Sequence, residues 1–139
     1  MNIPRFHLAF PVHDLEKAKT FYTSTLGCPL GRESDNWIDF NLYGHQVVAH
    51  LSPKDCMNTK TNPVDGDSIP ARHFGVILPW ADWEELCKIL ISRNIEFLIK
   101  PRIRFKNVSG EQGTFFIQDP SGNALEFKSF KNDKDVFKK

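Results

Sequence analysis

The sequence predicts an α+β fold in which one plan, a strand, a helix and three strands, is stated twice within a single domain. Three observations carry that prediction. A short alternating apolar run is followed by an amphipathic helical run at two places, RFHLAFP with DLEKAKTFYTSTLG and RHFGVILP with WEELCKILISRN. Each pair is followed by further short runs rich in β-branched and aromatic residues and set off by Gly, Asn and Asp. The chain has 139 residues, 40% of them hydrophobic, which suffices for one good core and falls short of two independent domains. The expected bounds are a first module at about 1–52, a linker at about 53–70, a second module at about 71–130 and a solvated tail at 131–139.

In the first module, Phe6, Leu8 and Phe10 alternate with His7 and Ala9, the pattern of a half-buried strand. Asp14 then stands where an N-cap belongs, Leu15, Ala18, Phe21, Tyr22 and Leu26 fall at helical spacing, and Gly27 stops the run. NWIDFNLYG and HQVVAHLSP read as a β-hairpin turning at Gly44; the remaining strand of this module has the weakest signal. Residues 52–70, SPKDCMNTKTNPVDGDSIP, are polar, rich in turn formers and aperiodic, and are expected to be a long loop.

The second module opens with His73, Gly75 and Ile77 on one face of a strand and Phe74, Val76 and Leu78 on the other. Asp82 is placed to cap a helix whose stripe is Trp83, Leu86, Cys87 and Leu90 and whose stop is Asn94. IEFLIK, GTFFIQD and NALEFKSF follow as strands, with PRIRFKNVSGEQ as a basic loop between the first two. DPSGN, residues 119–123, is turn chemistry. KNDKDVFKK has no periodicity and reads as a frayed end.

Composition excludes several classes of function. Eighteen Lys and Arg against 17 Asp and Glu leave a net charge of +1 with no basic block, so no nucleic-acid partner is expected. No run is long or apolar enough for a signal peptide or a membrane span, so a soluble, cytoplasmic protein is expected. Cys28, Cys56 and Cys87 are odd in number and far apart, which argues for buried, reduced thiols rather than a disulfide framework or a thiolate zinc site.

His7 and His73 hold matching places, each on the first strand of its module and on the face opposite the large apolar residues. Ala9 and Gly75 follow two residues later on the same faces, and Ala124 precedes Glu126 by two, leaving space beside all three polar groups. A histidine on a strand is ordinarily a hydrogen-bonded or surface residue. Glu126 is harder to dismiss, because a carboxylate inside an apolar strand needs an arginine, a metal or another cation beside it unless it lies at the rim of the sheet. Two histidines and a carboxylate are the donor set of a facial triad, which leaves coordination positions open on Fe(II). Strand parity puts His50 with them, on the face shared with Val48.

FHLAFPVHDLEKAKTFYTSTLG, HFGVIL and QDPSGNALEF together resemble the vicinal oxygen chelate superfamily, which includes glyoxalase I, extradiol dioxygenases, fosfomycin-resistance transferases and bleomycin-resistance proteins. The resemblance spans nearly the whole chain. It implies two βαβββ modules forming a half-open mixed β-barrel around a divalent metal, often completed as a homodimer, with His7, His73 and Glu126 matching the family's metal ligands. Glyoxalase I usually carries a glutamate ligand where this chain has His50, whereas ring-cleaving dioxygenases add an acid/base histidine near a two-His, one-Glu triad. The chain is most similar to small proteins described as predicted extradiol dioxygenases, although such enzymes commonly place a tyrosine where Phe116 stands.

The resemblance thus implies an Fe(II) extradiol-type dioxygenase acting on a small aromatic diol, with Mn(II), Ni(II) or Zn(II) as alternative metals and His50 as the catalytic acid/base. Trp37, Tyr43, Phe105 and Phe115 are candidates for an apolar wall, and Arg102, Arg104 and Lys106 for steering an anionic substrate. Two alternatives stand beside this reading: a glyoxalase-like isomerase or lyase using His50 as a fourth ligand, and a metal-free small-molecule binding module.

Overall fold

The computed structural model describes residues 3–56, 61–64 and 67–139. The fold is α+β, with two four-stranded mixed sheets and few helices. The chain divides into two compact units, Met1–Thr59 with Asp119–Asn123, and Lys60–Gln118 with Ala124–Lys139.

In the first unit, β1 (His7–Val12) runs parallel to β4 (His45–Leu51), and β3 (Trp37–Leu42) and β2 (Leu30–Glu33) continue the sheet antiparallel, giving the order β1-β4-β3-β2. Tyr43 and Gly44 both have positive φ, 50° and 91°, the two-residue turn whose twist suits a tight hairpin, and it joins β3 to β4 as expected. β2 is the strand the sequence signalled least. All four of its residues are exposed and its pairing with β3 is bulged, so no alternation was there to read.

Asp14 caps α1 (Leu15–Lys19) by accepting from the Lys17 N–H at 2.9 Å. The helix then widens over Thr20–Thr25 into a π-helical turn, with the Leu26 N–H reaching back to the Phe21 carbonyl. This turns Tyr22 into the core, where its ring packs on Phe10, Phe21 and Phe40. Its hydroxyl donates to Asp119 at 2.8 Å. Asp119 is itself buried and also accepts from the Ser121 and Asn123 backbone N–H groups and the Asn123 amide. The Asn123 amide donates in addition to the Pro11 carbonyl, and the Ser121 hydroxyl accepts from the His13 N–H. The DPSGN turn is therefore a peg in the first unit, held by its own polar side chains.

In the second unit, β7 (His73–Phe74) runs parallel to β10 (Ala124–Phe130), and β9 (Gln112–Gln118) and β8 (Phe97–Arg104) follow antiparallel. The helix α2 (Trp80–Ser92) buries Trp83, Leu86, Cys87 and Leu90, the stripe expected of it. Trp83 stacks on Phe115 and donates its indole N–H to the Phe127 carbonyl at 2.9 Å. Gly113 makes room for that ring, since a Cβ there would stand 2.7 Å from it. Phe115, Ile117, Leu125 and Phe127 complete a fully buried core.

Four expectations are corrected. The helix begins at Trp80 after Pro79, whose fixed φ suits that position, so Asp82 lies in the first turn and caps nothing with its side chain. Within the supposed loop at 53–70, Pro53–Cys56 form a 3₁₀ turn and β5 (Thr61–Val64) pairs antiparallel with β6 (Asp67–Pro70); residues 57–60 and 65–66 lie outside the described residues. Arg102 and Arg104 belong to β8 rather than to a basic loop. The tail carries a 3₁₀ turn at Asp133–Asp135, and Asp135 accepts from the Gly110 N–H at 2.9 Å, so it is not wholly frayed.

Candidate metal centre

His73 and Glu126 meet in the second unit because β7 pairs with β10 in the register His73 to Ala124, and the chain then crosses close over Glu126. A Cβ on Gly75 would lie 1.5 Å from the Glu126 carbonyl oxygen, so only glycine permits that crossing. The sequence reading took Gly75 as open space beside a ligand; it is instead where two backbones touch.

Nε2 of His73 stands 3.5 Å from Oε1 of Glu126, with the side chains 32% and 16% exposed. The other carboxylate oxygen of Glu126 accepts from the hydroxyl of buried Thr114. Nδ1 of His73 is 2.8 Å from the Pro70 carbonyl, which can only accept, so Nδ1 carries the proton. A neutral His73 then turns a bare lone pair toward a carboxylate oxygen, an arrangement that calls for a proton or a metal ion between them. The spacing suits an ion: two donors about 2.1 Å from one centre at a roughly tetrahedral angle lie about 3.4 Å apart. The edge of His73 packs on Phe116, which is buried with Ile69 and Ile99. Phe116 is thus core beneath the histidine and does not reach out as a substrate-binding tyrosine would.

In the first unit, His7 pairs in register with Gln46, and its Nδ1 lies 2.7 Å from Oε1 of that side chain. His7 and His50 line one cleft of about 220 Å³, together with Arg32, Trp37, Asp39, Gln46 and Val48. Parity had correctly put His50 on this face. Arg32 lies over the Trp37 ring at 5.7 Å and its Nε is 3.6 Å from Asp39. Among the described residues, no three His, Cys, Asp or Glu side chains gather as a ready metal set. The predicted donors therefore appear as a pair, His73 with Glu126, and as His7 in the other unit.

Of the proposed apolar wall, Trp37 lines the cleft, Tyr43 sits in the hairpin turn, Phe105 is exposed and Phe115 is core. Gln46, Asp39 and Thr114 went unread, although parity with Val48 and His50 already put Gln46 on the cleft face. The three cysteines are free. Burial pushes the Cys28 thiol up to about 12 and Cys87 to about 11, so neither is a thiolate near neutrality. Cys56 is only half-buried, contrary to expectation.

The family model of the Glyoxalase/Bleomycin resistance protein/Dioxygenase superfamily matches residues 6–127. The chain belongs to this superfamily. A solved member described as a glyoxalase/bleomycin resistance protein/dioxygenase from Alicyclobacillus acidocaldarius is 34% identical over 96% of each chain, with a TM-score of 0.80. A fosfomycin resistance protein from Listeria monocytogenes shares the fold at 13% identity, covering 97% of this chain and 98% of its own with a TM-score of 0.69. So does a lactoylglutathione lyase from Agrobacterium tumefaciens, at 15% identity over 91% and 92% with a TM-score of 0.62. No curated protein sequence matches. Superfamily members commonly bind divalent metals and small-molecule substrates. Among the described residues no helix is long and apolar enough to cross a membrane.

Proposed function

We propose that the chain is a divalent-metal enzyme, an Fe(II) extradiol-type dioxygenase of a small aromatic diol, with His7, His73 and Glu126 as the ligands and His50 as acid/base. The observation that carries this reading is that Nε2 of His73 stands 3.5 Å from the Glu126 carboxylate while Nδ1 of the same ring is committed to the Pro70 carbonyl. Two imidazoles and one carboxylate suit Fe(II), with Mn(II), Ni(II) and Zn(II) as alternatives. When bound, such an ion supplies Lewis acidity and a template for two substrate oxygens.

The chain's own residues do the rest. Glu126 contributes the negative charge that holds a cation, while Thr114 occupies its second oxygen and fixes its orientation. His50, exposed on the rim of the cleft that His7 lines, takes a diol hydroxyl proton at a ring nitrogen and returns it later. Trp37, its cross-strand neighbour, offers a flat face to an aromatic ring. The isomerase alternative needs His50 as a fourth ligand, and register weighs against it. His7 is level with Gln46, four residues before His50, a separation of roughly 13 Å along a strand.

A homodimer and a cytoplasmic setting belong to the same proposal. The first rests on the exposed, bulged edge strand β2, and the second on three free thiols. Light scattering that finds a monomer at every concentration would overturn the dimer. The enzyme reading is tested by metal analysis of protein purified without chelators, followed by oxygen uptake with a panel of catechols. Bound iron and catechol-dependent uptake are expected. Bound metal without uptake overturns the dioxygenase, and absence of any metal overturns the metal enzyme.

A further inference from the structure

We infer that Asp39, acting through Gln46, is a positioning residue that sets His7 in the tautomer with its proton on Nδ1 and a bare Nε2. The metal reading above supplies the consequence of this arrangement, but the arrangement follows from the hydrogen bonds alone. Asp39 is 7% exposed, and its Oδ2 lies 3.3 Å from Nε2 of Gln46. A carboxylate accepts and cannot donate, so it must face the NH₂ end of the Gln46 amide. The Arg32 Nε lies 3.6 Å from the same oxygen.

With its nitrogen committed to Asp39, Gln46 can present only its oxygen to His7, 2.7 Å from Nδ1. An amide oxygen accepts only, so Nδ1 must be the donor. One buried carboxylate therefore decides, two hydrogen bonds away, which ring nitrogen of His7 is open. The alternative amide orientation sets NH₂ against an imidazole lone pair but leaves two oxygens facing each other at Asp39, so the network has one consistent reading.

The test uses the full chain, metal-free and in alkaline buffer where imidazole is neutral, with nitrogen-15 histidine NMR to read the tautomer of His7. Wild type is expected to show Nδ1 protonated and Nε2 bare. In Asp39→Asn the isosteric amide can offer either end, Gln46 is free to flip, and the His7 signals should move toward a mixture. Gln46→Leu, at an exposed position that tolerates the change, should shift His7 to the Nε2–H form that free histidine favours in water. Mn(II) titration of the same samples should show affinity reduced about tenfold or more in both variants. Retention of the pure Nδ1–H form in both variants, or an Nε2–H form in wild type, overturns the inference whatever the metal does. If the tautomers follow the expected course while wild type binds no Mn(II), the positioning role stands and the metal reading falls.

Discussion

The two units use the same edge differently. In each, the first strand of the module runs parallel to the last, and a histidine opens it: His7 level with Gln46, His73 level with Ala124. Two residues further along the last strand, the second unit has Glu126 and the first has Val48. Beside these, the first strands carry Gly75 and Ala9 respectively. His73 gives its Nδ1 proton to a backbone carbonyl, which no substitution can remove, whereas His7 depends on a side-chain amide and a buried carboxylate behind it. The comparison teaches that repetition of a fold repeats the scaffold and not the chemistry. One edge carries the anionic donor, and the other carries an adjustable imidazole and a cleft.

The largest effect is expected at the donor the first unit lacks. Glu126→Gln keeps shape and removes charge, so elemental analysis should show bound metal lost, and all metal-dependent turnover with it. Unchanged stoichiometry would make Glu126 a structural residue and remove the distinction between the edges. His50→Ala should come next, retaining metal while turnover drops about 10²- to 10⁴-fold, the usual contribution of a positioned proton-transfer group. Loss of metal in that variant would restore the fourth-ligand isomerase against the register; full activity would eliminate His50 from the mechanism.

The glycine and alanine at equivalent positions sharpen the contrast on stability. Gly75→Ala sets a Cβ 1.5 Å from a backbone oxygen, so β7 must move off β10 at a cost of about 3 kcal/mol, with metal lost as His73 withdraws. Ala9→Gly has no such contact to relieve and should cost no more than about 1 kcal/mol by denaturant unfolding. Equal effects would mean that the two edges are packed alike.

These positions also mark how far the sequence could be read. Parity alone put His7, His50 and His73 on faces opposite the core, because one buried face leaves a period-two trace. Parity cannot supply register, and register is what separates Val48 from Glu126 and sets Gln46 against His7. β2 was faint because an exposed edge strand has no apolar face to write into the chain. The β5–β6 pair was hidden because Pro63 and Pro70 read as loop, although the two strands form a two-stranded sheet of their own, where proline is tolerated. Phe116 stands where extradiol enzymes commonly place a tyrosine, and it is buried, since a phenyl ring has no polar tip to bring it out.

Alkaline unfolding should separate the units. Tyr22 is raised well above 10, chiefly by burial and then by Asp119, and Cys28 is raised to about 12; both lie in the first unit, while the second has Cys87 at about 11. Each group is kept neutral by folding, so its stabilising effect is complete below the unfolded-state value, near 9 for thiols and 10 for tyrosine. It is lost as pH rises from there toward the folded value. Urea midpoints should therefore decline above about pH 9 and more steeply past 10, and Cys28→Ala with Tyr22→Phe should flatten the limb more than Cys87→Ala. Hydrogen exchange at high pH should open the first unit before the second; the reverse order would point to a different cause of alkaline loss.

The smallest effect concerns two hydroxyls on the sheet of the second unit. Thr114 on β9 donates to Glu126, whereas Oγ of Ser129, fully buried on the core face of β10 with Leu125 and Phe127, has no hydrogen-bond partner among the described residues. A buried hydroxyl without a partner gives up its hydration for nothing, so Ser129→Ala should be neutral or stabilising by up to about 1 kcal/mol. Thr114→Val preserves shape but frees one Glu126 oxygen, and should cost about 1 to 2 kcal/mol and loosen the orientation of that carboxylate. Thermal melts of the two variants should therefore move in opposite directions or, at the least, differ clearly. A Ser129→Ala protein destabilised as much as Thr114→Val would mean that Ser129 has a partner in solution, and that the core face of β10 is not purely apolar in its demands.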